Sequence, residues 1–215
     1  MAEKSPLLPE KLEGRIAKLL SALTEPVELT CIPGPGEQGQ EMALLAGHLA
    51  SLSPLVTLRL AVAGEEKALD EALDVSMLPA TGVGRPGQMP RMVFHGIPGG
   101  QEINAFLRAV CNAGGRSEAL SRRGTERIAG IVGPVKLRIF VTLSCGFCSE
   151  AVTAAQRIAW EHPGVSAHMI DGRLYQETVR SLAVDRVPMI LTETGTAIRG
   201  ALSLEALAKR LARNE

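Results

Sequence analysis

Two of the four cysteines in this 215-residue sequence stand three positions apart, in Ser144-Cys145-Gly146-Phe147-Cys148. The apolar-rich segment before them, 136–143 (KLRIFVTL), predicts a strand, and 145–161 predicts a helix ended by Pro163. A thiol placed where a strand runs into the first turn of a helix meets unpaired backbone N–H groups and the positive end of the helix dipole. Such placement lowers a thiol pKa from about 8.5 into the range of about 3.5–7.5, so a thiolate is available near neutral pH. Cys148 shares a helical face with Cys145, and the two sulfurs can meet with little backbone movement. Thiol–disulfide exchange needs that arrangement: Cys145 attacks a substrate disulfide, and Cys148 attacks the mixed disulfide and releases the product. Two other readings stay open. The pair could be half of a zinc site, but Cys31, Cys111 and the four histidines show no second ligand spacing. It could also be an inert structural pair. The strand–CxxC–helix setting favours redox chemistry.

The elements around the pair follow from periodicity. Strands are expected at 165–171, 188–192 and 197–199, with helices at 173–183 and from the Ser203 cap to 211. The second half therefore reads β-α-β-α-β-β-α. The first half predicts a helix at 10–24 with the stripe Leu12, Ile16, Leu19, Leu20 and Leu23, then a strand at 27–32. A helix at 40–52, a strand at 55–62 and a helix at 65–73 follow. Residues 77–91 are turn-rich and ambiguous, a short strand resumes at 92–94, and helices cover 101–112 and 117–131. Pro134-Val135-Lys136-Leu137 answers Pro26-Val27-Glu28-Leu29, 108 positions earlier. Val187-Pro188 answers Leu78-Pro79, and Pro163-Gly164-Val165 answers Pro54-Leu55-Val56, both 109 earlier. A constant offset with a shared element order predicts a tandem repeat, an α/β chain of two units, 1–115 and 116–215, with one α/β domain and coincidental prolines as the alternative.

Composition narrows the function classes. Lys and Arg number 23, as do Asp and Glu, so no net charge favours nucleic acid or an anionic membrane. Aromatic residues at 3% argue against base-stacking platforms, and no apolar run reaches the ~20 residues of a membrane span. The opening MAEKSPLLPEKLEGR has no apolar core of a secretion signal, which leads to the expectation of a cytoplasmic protein.

Strand–CxxC–helix, then a Pro opening the third strand, a hairpin and a terminal helix, resembles the thioredoxin/glutaredoxin fold. The resemblance implies two thioredoxin-like units, each a central mixed sheet flanked by helices. It implies that Pro188 is cis and lies against the Cys pair, and that Val187 offers its backbone to a substrate peptide. An ordinary strand-opening proline is the alternative for Pro188. Gly146 and Phe147, between the sulfurs, would contact substrate and tune the potential. Over nearly its whole length the chain is similar to the N-terminal domain of the alkyl hydroperoxide reductase flavoprotein subunit. LTEPVEL, FHGIPGGQEINAF, SCGFC, Ile170-Asp171-Gly172 and Arg186-Val187-Pro188 carry that similarity. Two-unit protein disulfide oxidoreductases are also similar, but those usually hold a CxxC in both units.

Here the first unit has Gly36-Glu37-Gln38-Gly39 where a pair would fall, so it reads as a degenerate copy. Cys31 and Cys111 read as core residues, with a reactive thiol the other possibility for Cys31. The strand before the motif holds no acid, and the resemblance implies that Glu102 handles the thiol proton. A first-turn Glu also satisfies a helix dipole without any catalytic role. Glutaredoxins bind glutathione through a Thr-Val-Pro and a Gly-Gly-Asp-like stretch. Arg186-Val187-Pro188 and Arg199-Gly200-Ala201 stand there instead and do not support glutathione binding. The expected activity is electron transfer from a thioredoxin-reductase-like flavoprotein to a disulfide partner such as a peroxiredoxin. It would use no cofactor beyond the redox-active disulfide, and the chain would be a stand-alone shuttle lacking the family's flavin domains. A disulfide oxidase or isomerase, and a non-catalytic peptide-binding module, are the alternatives.

Overall fold

The structure, a computed structural model, describes residues 4–213. The first half runs α1 (Glu10–Leu20), β1 (Val27–Ile32), α2 (Glu37–Ser51), β2 (Val56–Leu60), α3 (Lys67–Leu73), β3 (Ala80–Gly84), β4 (Met92–His95) and α4 (Glu102–Ala113). The second runs α5 (Arg122–Ala129), β5 (Val135–Val141), α6 (Cys148–Glu161), β6 (Val165–Asp171), α7 (Gln176–Ser181), β7 (Met189–Thr192), β8 (Ala197–Arg199) and α8 (Leu204–Arg213). The order is the same in both, and the repeat extends to register. β1 pairs parallel with β2 and antiparallel with β3, as β5 does with β6 and β7. Leu29 stands opposite Val83, and Leu137 opposite Thr192, the offsets seen in sequence. The Leu78–Pro79 and Val187–Pro188 peptides are both cis. Each proline carbonyl accepts an N–H at 2.9 Å from a glycine of positive φ, Gly96 in one copy and Gly200 in the other. The chain is thus two tandem thioredoxin-like units.

The chain divides into two compact units that do not follow the sequence halves. One comprises 4–90, 95–97 and 110–117; the other comprises 91–94, 98–109 and 118–213. Hydrogen bonds within the second unit explain why it takes residues ahead of 116. The Ala167 N–H donates to the Arg91 carbonyl, Gln156 Nε2 donates to the Val93 carbonyl, and Arg91 donates to the Ala159 and Trp160 carbonyls at the end of α6. A guanidinium there meets the negative end of the helix dipole. The Phe94 and Phe106 rings meet edge to face at 4.9 Å, a contact worth about 1 kcal/mol beyond its buried area. The strand order in this unit is β4-β6-β5-β7-β8, and in the first it is β2-β1-β3.

In each unit the sheet is covered by helices that bury one stripe. In the first unit Met42, Leu45 and Leu49 of α2 and Leu69 and Leu73 of α3 are buried, as are Leu29 and Cys31 of β1. In the second, Ala151, Val152, Ala155 and Ile158 of α6 are buried, as are Ile139, Phe140, Met169 and Ile170 of β5 and β6, the strands that α6 contacts. Several element bounds differ from expectation. α1 stops at Leu20, and Leu19 of its stripe is exposed. α5 starts at Arg122 because Ser121 Oγ caps the Gly124 N–H. The ambiguous stretch holds β3, whose Gly82 lets Leu73 approach so closely that a Cβ would lie 2.8 Å from its side chain.

Candidate functional site

Past the end of β5, the Cys145 N–H donates to the Thr142 carbonyl at 2.9 Å. That turn lifts the first thiol off the strand. α6 begins only at Cys148, with Phe147 as its N-cap residue. The expectation that Cys145 lies within the helix is therefore corrected. The turn commits its N–H to Thr142, and the chain reaches helical geometry three residues later. Cys145 precedes the positive helix end, and Cys148 occupies the first helical position. The two are joined as a disulfide with Cα atoms 5.5 Å apart. Their exposure is unequal: Cys145 is half-buried, while Cys148 is fully buried along with the core stripe of α6. Gly146 is exposed, and Phe147 is 70% exposed.

β7 brings the proline to the same end of the sheet. The β5–β7 ladder sets Phe140 opposite Met189. Continued past that pair, the register puts Pro188 level with Val141 and Val187 level with Thr142, whose carbonyl holds Cys145. Val187 lies outside the ladders of β7, which start at Met189.

Glu102 comes from the first sequence copy but belongs to the compact unit that holds the cysteines. Gly100 takes φ +55°, and a Cβ on it would stand 2.6 Å from the Leu143 carbonyl. Only glycine permits that approach. The Gln101 N–H donates to the same carbonyl at 3.4 Å, so the start of α4 is fixed against the segment leading into the Cys pair. The Glu102 carboxyl is fully buried, and neither oxygen has a hydrogen-bond partner. Burial first, and the Asp171 carboxylate second, raise its pKa from 4.5 to about 7. Asp171 ends β6 opposite Val141, and its Oδ1 accepts the Arg173 N–H at 3.0 Å. Burial and Asp171 also raise the Tyr175 hydroxyl. Sequence reasoning gave Asp171 no role of its own. The available signal was its place, an acid at the end of the strand next to the motif strand.

The remaining cysteines are set apart from this chemistry. Cys31 is fully buried opposite Thr81, and burial pushes its thiol up to about 11, so it stays protonated. Cys111, expected in the core, is only half-buried in α4. In the first unit, Gly39 lies 109 positions before Cys148. A Cβ there would be 2.8 Å from the Gly34 carbonyl oxygen and would also strike Pro33. The slot of the inner thiol is filled by backbone. Among the described residues no cluster of three His, Cys, Asp or Glu side chains could hold a metal ion. No helix among them is long and apolar enough to cross a membrane.

Two tandem thioredoxin-like units, the second holding a disulfide of unequally exposed sulfurs at the head of a helix, define the class: a thioredoxin-fold chain with the dithiol of a thiol–disulfide oxidoreductase. More particularly, it is similar to the alkyl hydroperoxide reductase AhpF. The Pseudomonas putida reductase of this kind is 27% identical over 208 residues, 97% of this chain and 38% of its own length. The solved N-terminal domain of Enterococcus faecalis AhpF matches with a TM-score of 0.88 and 28% identity, covering 94% of this chain and 99% of that one. A protein disulfide oxidoreductase from Aeropyrum pernix superposes with a TM-score of 0.82 at 20% identity over 95% of this chain and 92% of that one, which shows a shared fold. No protein-family model matches the sequence. The chain spans 37 to 38% of the length of the curated relatives it matches.

Proposed function

We propose that this chain carries electrons from a thioredoxin-reductase-like flavoprotein to a disulfide-bearing acceptor such as a peroxiredoxin, through Cys145 and Cys148, in the cytoplasm. The observation that carries the direction of attack is the unequal burial of the two sulfurs. The half-exposed Cys145 is the one an incoming disulfide can reach, and the buried Cys148 is held back for the resolving step. Glu102 exchanges a proton with the thiols: a carboxyl of pKa about 7 can both take and give one near neutrality. Val187 pairs with an extended substrate segment, Pro188 sets the turn that presents it, and Gly146 and Phe147 form the outer lip. The relatives named alkyl hydroperoxide reductase support the peroxide context.

The test is trapping. Cys148→Ser leaves the mixed disulfide unresolved, so Cys145 should retain its acceptor as a covalent adduct that dithiothreitol releases. Cys145→Ser should abolish insulin reduction and give no adduct. Equal trapping by Cys145→Ser would overturn the assignment of the attacking sulfur. A potential near about −270 mV fits a reductant; one of about −120 to −180 mV would make the chain an oxidant.

A further inference from the structure

We propose that the rim of the Cys145–Cys148 site selects disulfide-bearing protein segments that carry an acidic side chain beside the attacked cysteine. Arg186, Arg199 and the exposed Phe147 ring would recognise them. The inference rests on the oxidoreductase reading above and names its substrate class.

Arg186 immediately precedes Val187, and its side chain is 66% exposed. Arg199 stands opposite Met189 in the β7–β8 ladder, next to Gly200, whose N–H binds the Pro188 carbonyl. Asp185 lies between the two guanidinium groups, 3.7 Å from Arg186 Nε and 3.2 Å from Arg199 Nε. Two cations share one anion, so the Asp185–Arg186–Arg199 group carries a net charge of +1. Arg186 is two positions before Pro188 and Arg199 is next to Gly200, so both side chains branch from backbone beside that proline. A guanidinium matches a carboxylate in planar, two-point geometry. In a segment extended along Val187 successive side chains point to opposite faces, so the residue beside its cysteine turns away from the disulfide, toward the rim that carries Arg186. Phe147 adds an apolar platform beside the disulfide, of the kind that gains by being covered.

The exchange balances as follows. The Cys145 thiolate attacks the near sulfur of the segment's disulfide, whose S–S bond breaks, and the far sulfur leaves as a thiolate that takes a proton. Cys148 then attacks Cys145, re-forming the protein disulfide and expelling the near sulfur. The segment gains two electrons and two protons from the dithiol, and dithiothreitol restores the dithiol in the assay.

Reduced full-length chain is mixed with looped disulfide peptides identical except for Glu, Gln or Lys beside the attacked cysteine. For the unmodified chain at low salt the Glu peptide should react about fivefold faster than the Lys peptide, and the ratio should approach one in about 0.5 M salt. In Arg186→Gln the ratio should fall, and in Arg186→Glu with Arg199→Glu it should invert. Because the ratio is read within each protein, a general loss of reactivity cancels, and only a folded site can give the inverted ratio. A ratio of one in the unmodified chain, or an unchanged ratio in the variants, overturns the proposal. If neutral 2-hydroxyethyl disulfide is still reduced in that case, the oxidoreductase reading survives alone. If it is not reduced, both fall. Faster reaction with oxidised glutathione than with the Glu peptide assigns the charge to a small thiol and also overturns the protein-segment proposal.

Discussion

Glu102 is the residue whose chemistry is most sensitive to its surroundings. Its folded pKa is raised from 4.5 to about 7. The stability it permits is therefore complete below about pH 4.5 and is lost as pH rises through 7, where a buried carboxylate without partners must carry charge. Glu102→Gln removes that penalty. Urea unfolding should show the variant gaining on the parent by about 3 kcal/mol between pH 4.5 and 8, a difference absent at pH 4. The same variant should lose the neutral-pH acceleration of thiol exchange. Asp171→Asn removes the lesser cause and should move the pH–rate midpoint down by a smaller amount. The two cysteines were legible from their spacing alone, and Glu102 only through resemblance. The position of Asp171 depends on a ladder partner, Val141, thirty positions away, and no local pattern shows such a pairing.

At the scale of elements, strands were more legible than helix ends. β1 and β6 match expectation residue for residue, because apolar runs bounded by Pro and Gly leave little freedom. β3 was hidden: Ala-Thr-Gly-Val-Gly has weak strand propensity, and tertiary packing of Leu73 over Gly82 decides it. The helix after the motif starts late because a turn hydrogen bond to Thr142 intervenes, which periodicity does not register. α2 starts at Glu37, ahead of the expected residue 40, so Gly39 sits inside it against backbone carbonyls. Gly39→Ala should therefore destabilise the protein by about 1–3 kcal/mol in chemical denaturation, despite replacing glycine with a better helix former. A neutral or stabilising result would show that the loop at Pro33 and Gly34 yields easily.

For the whole molecule, the duplication was readable as an offset, but which residues pack together was not, since offsets carry no information about hydrogen bonds. Residues 91–94 and 98–109 lie before the sequence boundary and group with the unit that follows it. A fragment of residues 116–215 should aggregate in size-exclusion chromatography, because β6 loses β4 and presents an open edge. A fragment of residues 91–215 covers that edge with the four-residue β4 and should aggregate less. The grouping has a historical consequence as well. If an ancestral gene doubled, the later copy came to lean on a buried acid and an edge strand encoded in the earlier one. Recombination at the seam would part them, which would keep the earlier copy even where it binds nothing of its own.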